Sequence, residues 1–179
     1  SITPKQIYYN PNPFLLSIIA PSNEQTFKIN DIDPNIFWLE NRKKDADQMH
    51  NFFWLNLLDR KTDNKKVKKI IFIWMIKNSK YKKKIWETST LSARIISWIL
   101  NTDIILNNCT FDFKKNFLDC IVSQTNHLKK NIKFEKNLTK KIEILTAITL
   151  TGLVFKEYKE NYDLGIKEIE NVIKKFFNS

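Results

Sequence analysis

With 179 residues, 42% of them hydrophobic, the chain is long enough to bury a core and too apolar for a disordered tail. Two glycines and five prolines, all five before residue 35, are too few for the corners of a sandwich, a barrel or a doubly wound sheet, so composition points to helices. The formal charge of +11 would favour encounter with an anionic polymer, yet 27 of the 30 basic residues are lysine in a chain also rich in asparagine and isoleucine, a general compositional bias that does not argue for nucleic acid.

Residues 1–38 read as an irregular arm, punctuated at Asn10-Pro11-Asn12-Pro13, Pro21-Ser22-Asn23 and Asp33-Pro34-Asn35, that drapes over the helices. From about Asn41 a first helix carries Ala46, Met49, His50, Phe53, Trp54, Leu57 and Leu58 and ends near Arg60, before a polar turn, Thr62-Asp63-Asn64, that can cap the next. Val67, Ile70, Ile71 and Trp74 recur at three and four in the second helix. Phe72, Ile73, Met75 and Ile76 fill most of its remaining circumference, which predicts burial on nearly all sides.

The lysine-rich stretch Lys77–Lys84 leads to the segment around which the chain is organised, Trp86 to Leu100. Leu91, Ile95, Trp98, Ile99, Thr102, Ile105 and Leu106 define one amphipathic face there, with Ser89 or Thr90 as the expected N-cap. Arg94 interrupts that face where this lysine-rich chain would ordinarily carry lysine. After a turn at Asn107–Thr110, with Thr110 as cap, Phe113, Phe117, Ile121 and Leu128 mark a fourth helix. Asn137 caps a fifth bearing Leu138, Ile142, Leu145, Ile148 and Phe155, and Tyr162, Ile166, Ile169, Ile173 and Phe176 mark a sixth.

Six amphipathic helices with short links imply an all-α fold of three antiparallel hairpins over residues 39–179, without a short fixed-period repeat. The sixth keeps its apolar stripe to Phe176-Phe177, so other segments or another molecule should cover it. With no methionine at position 1, this leads us to expect a piece of a longer protein, its last helix meeting a further domain or a second copy.

Cys109 and Cys120 sit in or beside one helix, so no disulfide between them is expected, and a reducing compartment fits. His50, His127 and the cysteines lack paired metal-ligand spacing, and there is neither a Gly-rich phosphate loop nor a nucleophile elbow, so no metal or cofactor is expected. No run approaches a membrane span and no signal-peptide layout is visible, which favours the cytoplasm, or the periplasm if the N-terminus is trimmed.

Three pieces resemble, in order and at compatible spacing, the helical N-terminal domain of the heparinase II/III-like polysaccharide lyases of bacteria. His50-Asn51-Phe52-Phe53-Trp54-Leu55-Asn56-Leu57-Leu58 is similar to that family's His-aromatic-x-x-Trp-Leu-x-x-Leu segment. Trp74, Trp86 and Arg94-Ile95-Ile96-Ser97-Trp98-Ile99 resemble its Trp, Trp and Arg-Ile-x-x-Trp-Ile pattern, and Ala147–Phe155 resembles a small-and-apolar helix ending Ala-Gly-Leu. The resemblance covers about residues 38–177. It implies an incomplete α/α toroid, followed in such proteins by a β-sandwich domain with the active groove between, and β-elimination on acidic, uronic-acid glycans such as glycosaminoglycans. Many members open the fifth helix with Asn-His to neutralise the substrate carboxylate. Aligned on Gly152, those positions here are Thr139 and Lys140, while Glu143 matches a glutamate one turn on.

β-Elimination requires a group that neutralises the uronate carboxylate, a base and an acid. Lys140 is a candidate neutraliser or else a solvated charge, and Glu143 the matching carboxylate. Arg94 could hold a carboxylate or sulfate through two parallel hydrogen bonds, or be a buried arginine on helix-end carbonyls. Trp86 could stack on a sugar, and His50 could be a base or a hydrogen-bonded structural residue. A lyase inactive as this chain alone is therefore the first expectation, and a non-catalytic module binding an anionic glycan or a protein the alternative. A third, poorer option is nucleic-acid binding through Lys65–Lys69, Lys82–Lys84 and Lys129–Lys141.

Overall fold

The computed structural model describes residues 1–10, 14, 18, 29, 32–40, 49–59, 62–78 and 80–177. Its helices are α1 (Phe37–Glu40), α2 (Asn64–Asn78), α3 (Thr88–Leu100), α4 (Thr102–Leu106), α5 (Phe111–Asn131), α6 (Leu138–Val154) and α7 (Lys159–Phe177), with 3-10 turns at Phe53–Leu57, Ile132–Phe134 and Lys156–Tyr158. No β-strand forms among the described residues, so the fold is all-α as composition required.

The N-terminal ten residues lie along the far end of the bundle. Tyr8 donates its backbone N–H to the Val154 carbonyl at 2.8 Å, and the Tyr158 hydroxyl donates to the Ile2 carbonyl at 2.6 Å. Thr3 donates to the Asp119 carboxylate, and the Lys5 N–H to Glu157. Most of the apolar runs at 14–20 and 26–29 falls outside the described residues, as does 41–48 of the first expected helix.

That first helix is not continuous to Arg60. It breaks at Phe52, whose φ of 59° is left-handed, with Asn51 Oδ1 accepting from the Phe53 N–H, and the chain resumes as the 3-10 turn. Phe52 is fully buried against Trp38, Trp54, Trp74 and Trp98, with ring centroids 5.2–5.6 Å apart. Packing among four tryptophans holds a backbone conformation that a bulky residue rarely adopts.

The Asp63 carboxylate caps α2 by accepting the Lys65 N–H. The helix buries Val67, Ile70, Ile71, Trp74 and Met75 but leaves Phe72 and Ile76 at 42% and 63% exposure, so it is not enclosed on nearly all sides. One flank faces the core and the other lines an open groove against α5. Nor does α2 form a close hairpin with α3, which it meets through Trp74 against Arg94 and Trp98; its closer helix neighbours are α1, α4 and α5.

α3 begins two or three residues earlier than its hydroxyls suggest. Glu87, not Ser89 or Thr90, is the N-cap, its Oε2 accepting from the N–H groups of Ser89 and Thr90 at 2.9 and 3.1 Å. A carboxylate there also meets the positive end of the helix dipole. Asn101, turned to the Ser97 carbonyl and Asn56, separates α3 from α4, which the apolar spacing alone would have joined. Thr110 and Asn137 cap α5 and α6 as expected.

The buried face of α6 runs through Ile144, Leu145, Ala147, Ile148, Thr151 and Gly152. Leu138 and Ile142, on the expected stripe, stay 44% and 41% exposed, so the stripe is buried only from Ile144 onward. On α7 the buried residues are Asn161, Gly165 and Val172, and Ile166, Ile173 and Phe176 are exposed.

Both glycines of the chain lie where α6 and α7 cross. A Cβ on Gly152 would overlap the backbone of Tyr162, and one on Gly165 the side chain of Thr149. The helix pair is therefore closer than any side chain allows. Gly152→Ala and Gly165→Ala should each lower stability by about 1–3 kcal/mol, as overpacking does, and Gly152→Ala should lose more because it meets main chain. Urea unfolding of the two variants measures this.

Candidate functional site

Arg94 is the seventh residue of α3 and has no solvent exposure. Its Nε donates to Gln124 Oε1 on α5 at 2.6 Å, Nη1 to the His50 carbonyl at 2.8 Å, and Nη1 and Nη2 to the Ile85 carbonyl at 3.2 and 3.1 Å. The guanidinium also stacks over Trp74 at 4.4 Å. No carboxylate among the described residues pairs with it. Burial pushes its pKa down to about 9, against a small opposing pull from Cys120, so it stays cationic at neutral pH. Neutral oxygens and an aromatic face thus satisfy a buried charge, the arrangement of an architectural arginine rather than of one offered to a ligand.

The other two residues expected to bind substrate join the same hub. His50 Nδ1 accepts the indole N–H of Trp74 at 2.8 Å, and its ring stacks on Trp38 with centroids 5.3 Å apart. Trp86 is buried, and its indole N–H donates to the Asn78 carbonyl at 3.3 Å. Arg94 is enclosed, so sugar contact through it would require the fold to open, whereas Trp86 reaches the surface only where it lines the hollow between α2 and α5. The Nε2 of Gln124 continues the network to Cys120 Sγ at 3.1 Å, and burial lifts that thiol to about 11, so it is protonated.

Lys140 and Glu143 sit in the opening turns of α6, both exposed. Lys140 Nζ lies 3.1 Å from Glu87 Oε1, so the lysine at the aligned Asn-His position is tied to the residue that caps α3. Glu87's hydrogen bond and charge raise the Lys140 pKa, with smaller contributions from Glu135 and Glu143. Partial burial alone would raise the Glu87 carboxyl, but the Thr90 N–H, Lys140 and the Ser89 N–H outweigh it and hold the pKa below the usual carboxylate value.

Next to Trp86 the structure gathers two further rings that the sequence does not single out as a cluster. His127 on α5 packs edge-on to Trp86 with centroids 5.3 Å apart, and Tyr81, from the lysine-rich connection, lies over His127 at 5.5 Å. Tyr81 is 62% exposed. Burial, then the charge of Lys130, holds the imidazole pKa below its ordinary value. The available signal is that Tyr81 is the one aromatic residue in Lys77–Lys84. Glu87, Lys140, Tyr81 and His127 form a rim at the end of the bundle where α3 and α6 begin and α5 finishes.

A concavity runs between α2 and α5 as two adjoining hollows of about 320 and 550 Å³ that share Phe72 and Asn116. Its floor is apolar, from Phe72, Met75 and Ile76, and its α5 edge carries Asn116, Asp119 and Cys120. Among the described residues no group of three His, Cys, Asp or Glu side chains could hold a metal ion, and no helix is long and apolar enough to cross a membrane. Compared with protein-family models, curated proteins and solved structures, the chain matches none.

Lysine in place of Arg94 cannot serve oxygens on three separate segments and keep the planar stack on Trp74. Arg94→Lys should therefore lose about 3 kcal/mol of stability or more in chemical unfolding, the scale seen when a buried charge loses its partners. A variant as stable as the parent would return the guanidinium to a ligand-binding role.

Proposed function

We propose that this chain is a helical domain of the heparinase II/III-like kind, and that its rim at the start of α3 and α6 receives an acidic, uronic-acid polysaccharide. The observation that carries this is the meeting of the resembling pieces in one hub. His50 from the first piece and Trp74, Trp86 and Arg94 from the second are joined by hydrogen bonds or ring contacts or through Ile85, and Trp98 packs on Trp74. The third piece, in α6, packs against α3. Segments so distant in sequence, interlocked around one arginine, are what an inherited architecture would leave.

The chemistry expected of such a family is abstraction of the proton beside a uronate carboxylate, followed by loss of the leaving oxygen. Lys140 supplies the positive charge, and an incoming uronate would compete with Glu87 for it. The rim offers no asparagine–histidine pair, since Thr139 and Lys140 stand there, so this chain alone is expected to bind the polymer without cleaving it. The Lys140–Glu87 pair equally favours the second reading, a glycan-binding or scaffolding module with no eliminase ancestry in use.

Nucleic acid is the weaker partner because several lysines of the basic runs are engaged as caps or tethers. Lys68 Nζ donates to the Asn107 and Asn108 carbonyls, Lys82 Nζ to Lys77 and Asn78, and Lys129 Nζ to Asn161.

Pectate, alginate, hyaluronan and heparan sulfate, incubated with the protein and followed by the ultraviolet absorbance of the unsaturated uronate, separate these outcomes. Product would make this chain a lyase in its own right; calorimetric binding without product is the expected result; neither on any polymer would overturn the glycan assignment. Lys140→Ala should weaken binding several-fold while changing stability by less than about 1 kcal/mol, because the ion pair is exposed.

A further inference from the structure

The exposed aromatic ring at the rim is Tyr81 rather than Trp86, and it does not stand alone. Trp86, fixed by its indole hydrogen bond to Asn78, supports His127 edge-on, and His127 supports Tyr81 with the two rings inclined by 31°. Tyr81 also touches Trp86 directly, with centroids 6.3 Å apart. Exposure rises along this stack from 7% at Trp86 to 62% at Tyr81.

A solvent-facing ring backed by a buried one loses little freedom when a ligand settles on it. Neither imidazole nitrogen of His127 has a hydrogen-bond partner among the described residues, so a donor and an acceptor stay available next to the ring face. The cation of Lys130 is close enough to His127 to depress its basicity, and Lys140 stands on Glu87, the residue that follows Trp86.

From this geometry we propose that Tyr81 and His127 form a sugar-binding platform, on which an acidic pyranose stacks its C–H face against Tyr81. A ring hydroxyl bonds to His127, and the carboxylate faces Lys130 and Lys140. The assignment rests on the glycan reading of the rim and adds the subsite that reading lacks. The C–H groups of a pyranose suit an aromatic face, whereas its hydroxyls and carboxylate need polar and cationic neighbours at the edge of that face. Tyr81 serves here through its ring and not its hydroxyl.

The chain has two histidines, one in the hub and one in the platform, so the imidazole carbon-bound protons form a two-site reporter in NMR. Oligogalacturonate, oligoalginate and heparan oligosaccharides would be titrated into the whole protein, with neutral gluco-oligosaccharides and a single-stranded RNA alongside. Calorimetry on Tyr81→Ala and Tyr81→Phe would complete the set, each checked for an unchanged melting temperature. An acidic oligosaccharide should shift the His127 signals and leave those of His50 in place. Tyr81→Ala should weaken affinity about tenfold and Tyr81→Phe should keep most of it, tenfold being about 1.4 kcal/mol.

An acidic oligosaccharide that binds with His127 unmoved and Tyr81→Ala unaffected would overturn the platform and spare the glycan reading. Failure of every acidic oligosaccharide to bind would remove both. A shift of His127 by RNA alone would give the stack to nucleobases and overturn the sugar assignment.

Discussion

The structure depends on placing one positive charge where water cannot reach it. Arg94 lies on the central helix and spends its N–H groups on α5, on the His50 carbonyl, and on the carbonyl just before Trp86. An unpaired cation in such a place would be prohibitive, so these three segments have to arrive together with the face of Trp74. Two of them are places where the chain changes direction, a helical turn that breaks at Phe52 and the hydrogen-bonded turn that leads into α3. The guanidinium ties their carbonyls together and through them the neighbouring rings.

Much of the helical layout was legible because its signals are local. Thr110 and Asn137 are caps that any chain would use in the same way, and Arg94 stood out because a lysine-rich composition had an easier residue to offer. What could not be read depends on distant partners. Phe52 holds a left-handed backbone within a cluster of tryptophans, three of them from other parts of the chain, and the Glu87 carboxylate takes the N–H groups that the hydroxyls were expected to mark. Periodicity placed Phe72, Ile76, Leu138 and Ile142 on apolar stripes, but only the arrangement of helices decides which part of a stripe has something to lie against. The candidate site shows the same division. Arg94, His50 and Trp86 attract notice as chemistry-bearing residues in apolar segments, and they are architecture, whereas Tyr81 and His127 sit in unremarked stretches that α5 and the connection bring together.

Hub and rim also separate two kinds of information. Residues in the hub are constrained by one another, so a motif built from them reports ancestry and shape and carries little about what is bound. The rim draws one residue from each of several elements, on surfaces where a change of side chain leaves the packing beneath it intact. A rim residue such as Lys140 can therefore change above an unaltered frame, and what is bound depends on the rim.

The strap formed by the N-terminal ten residues carries a consequence for how the molecule comes together. Its hydrogen bonds reach Val154, Glu157 and Tyr158, about the greatest sequence separations in the structure. Synthesis runs from the strap toward partners about 150 residues later, so the strap has no docking surface until α6 has formed and the chain has turned toward α7. Contacts of such long range are closed late and slow the final step of folding. The strap then acts as a clasp, and its closure marks the moment at which the helices behind it have reached their final places.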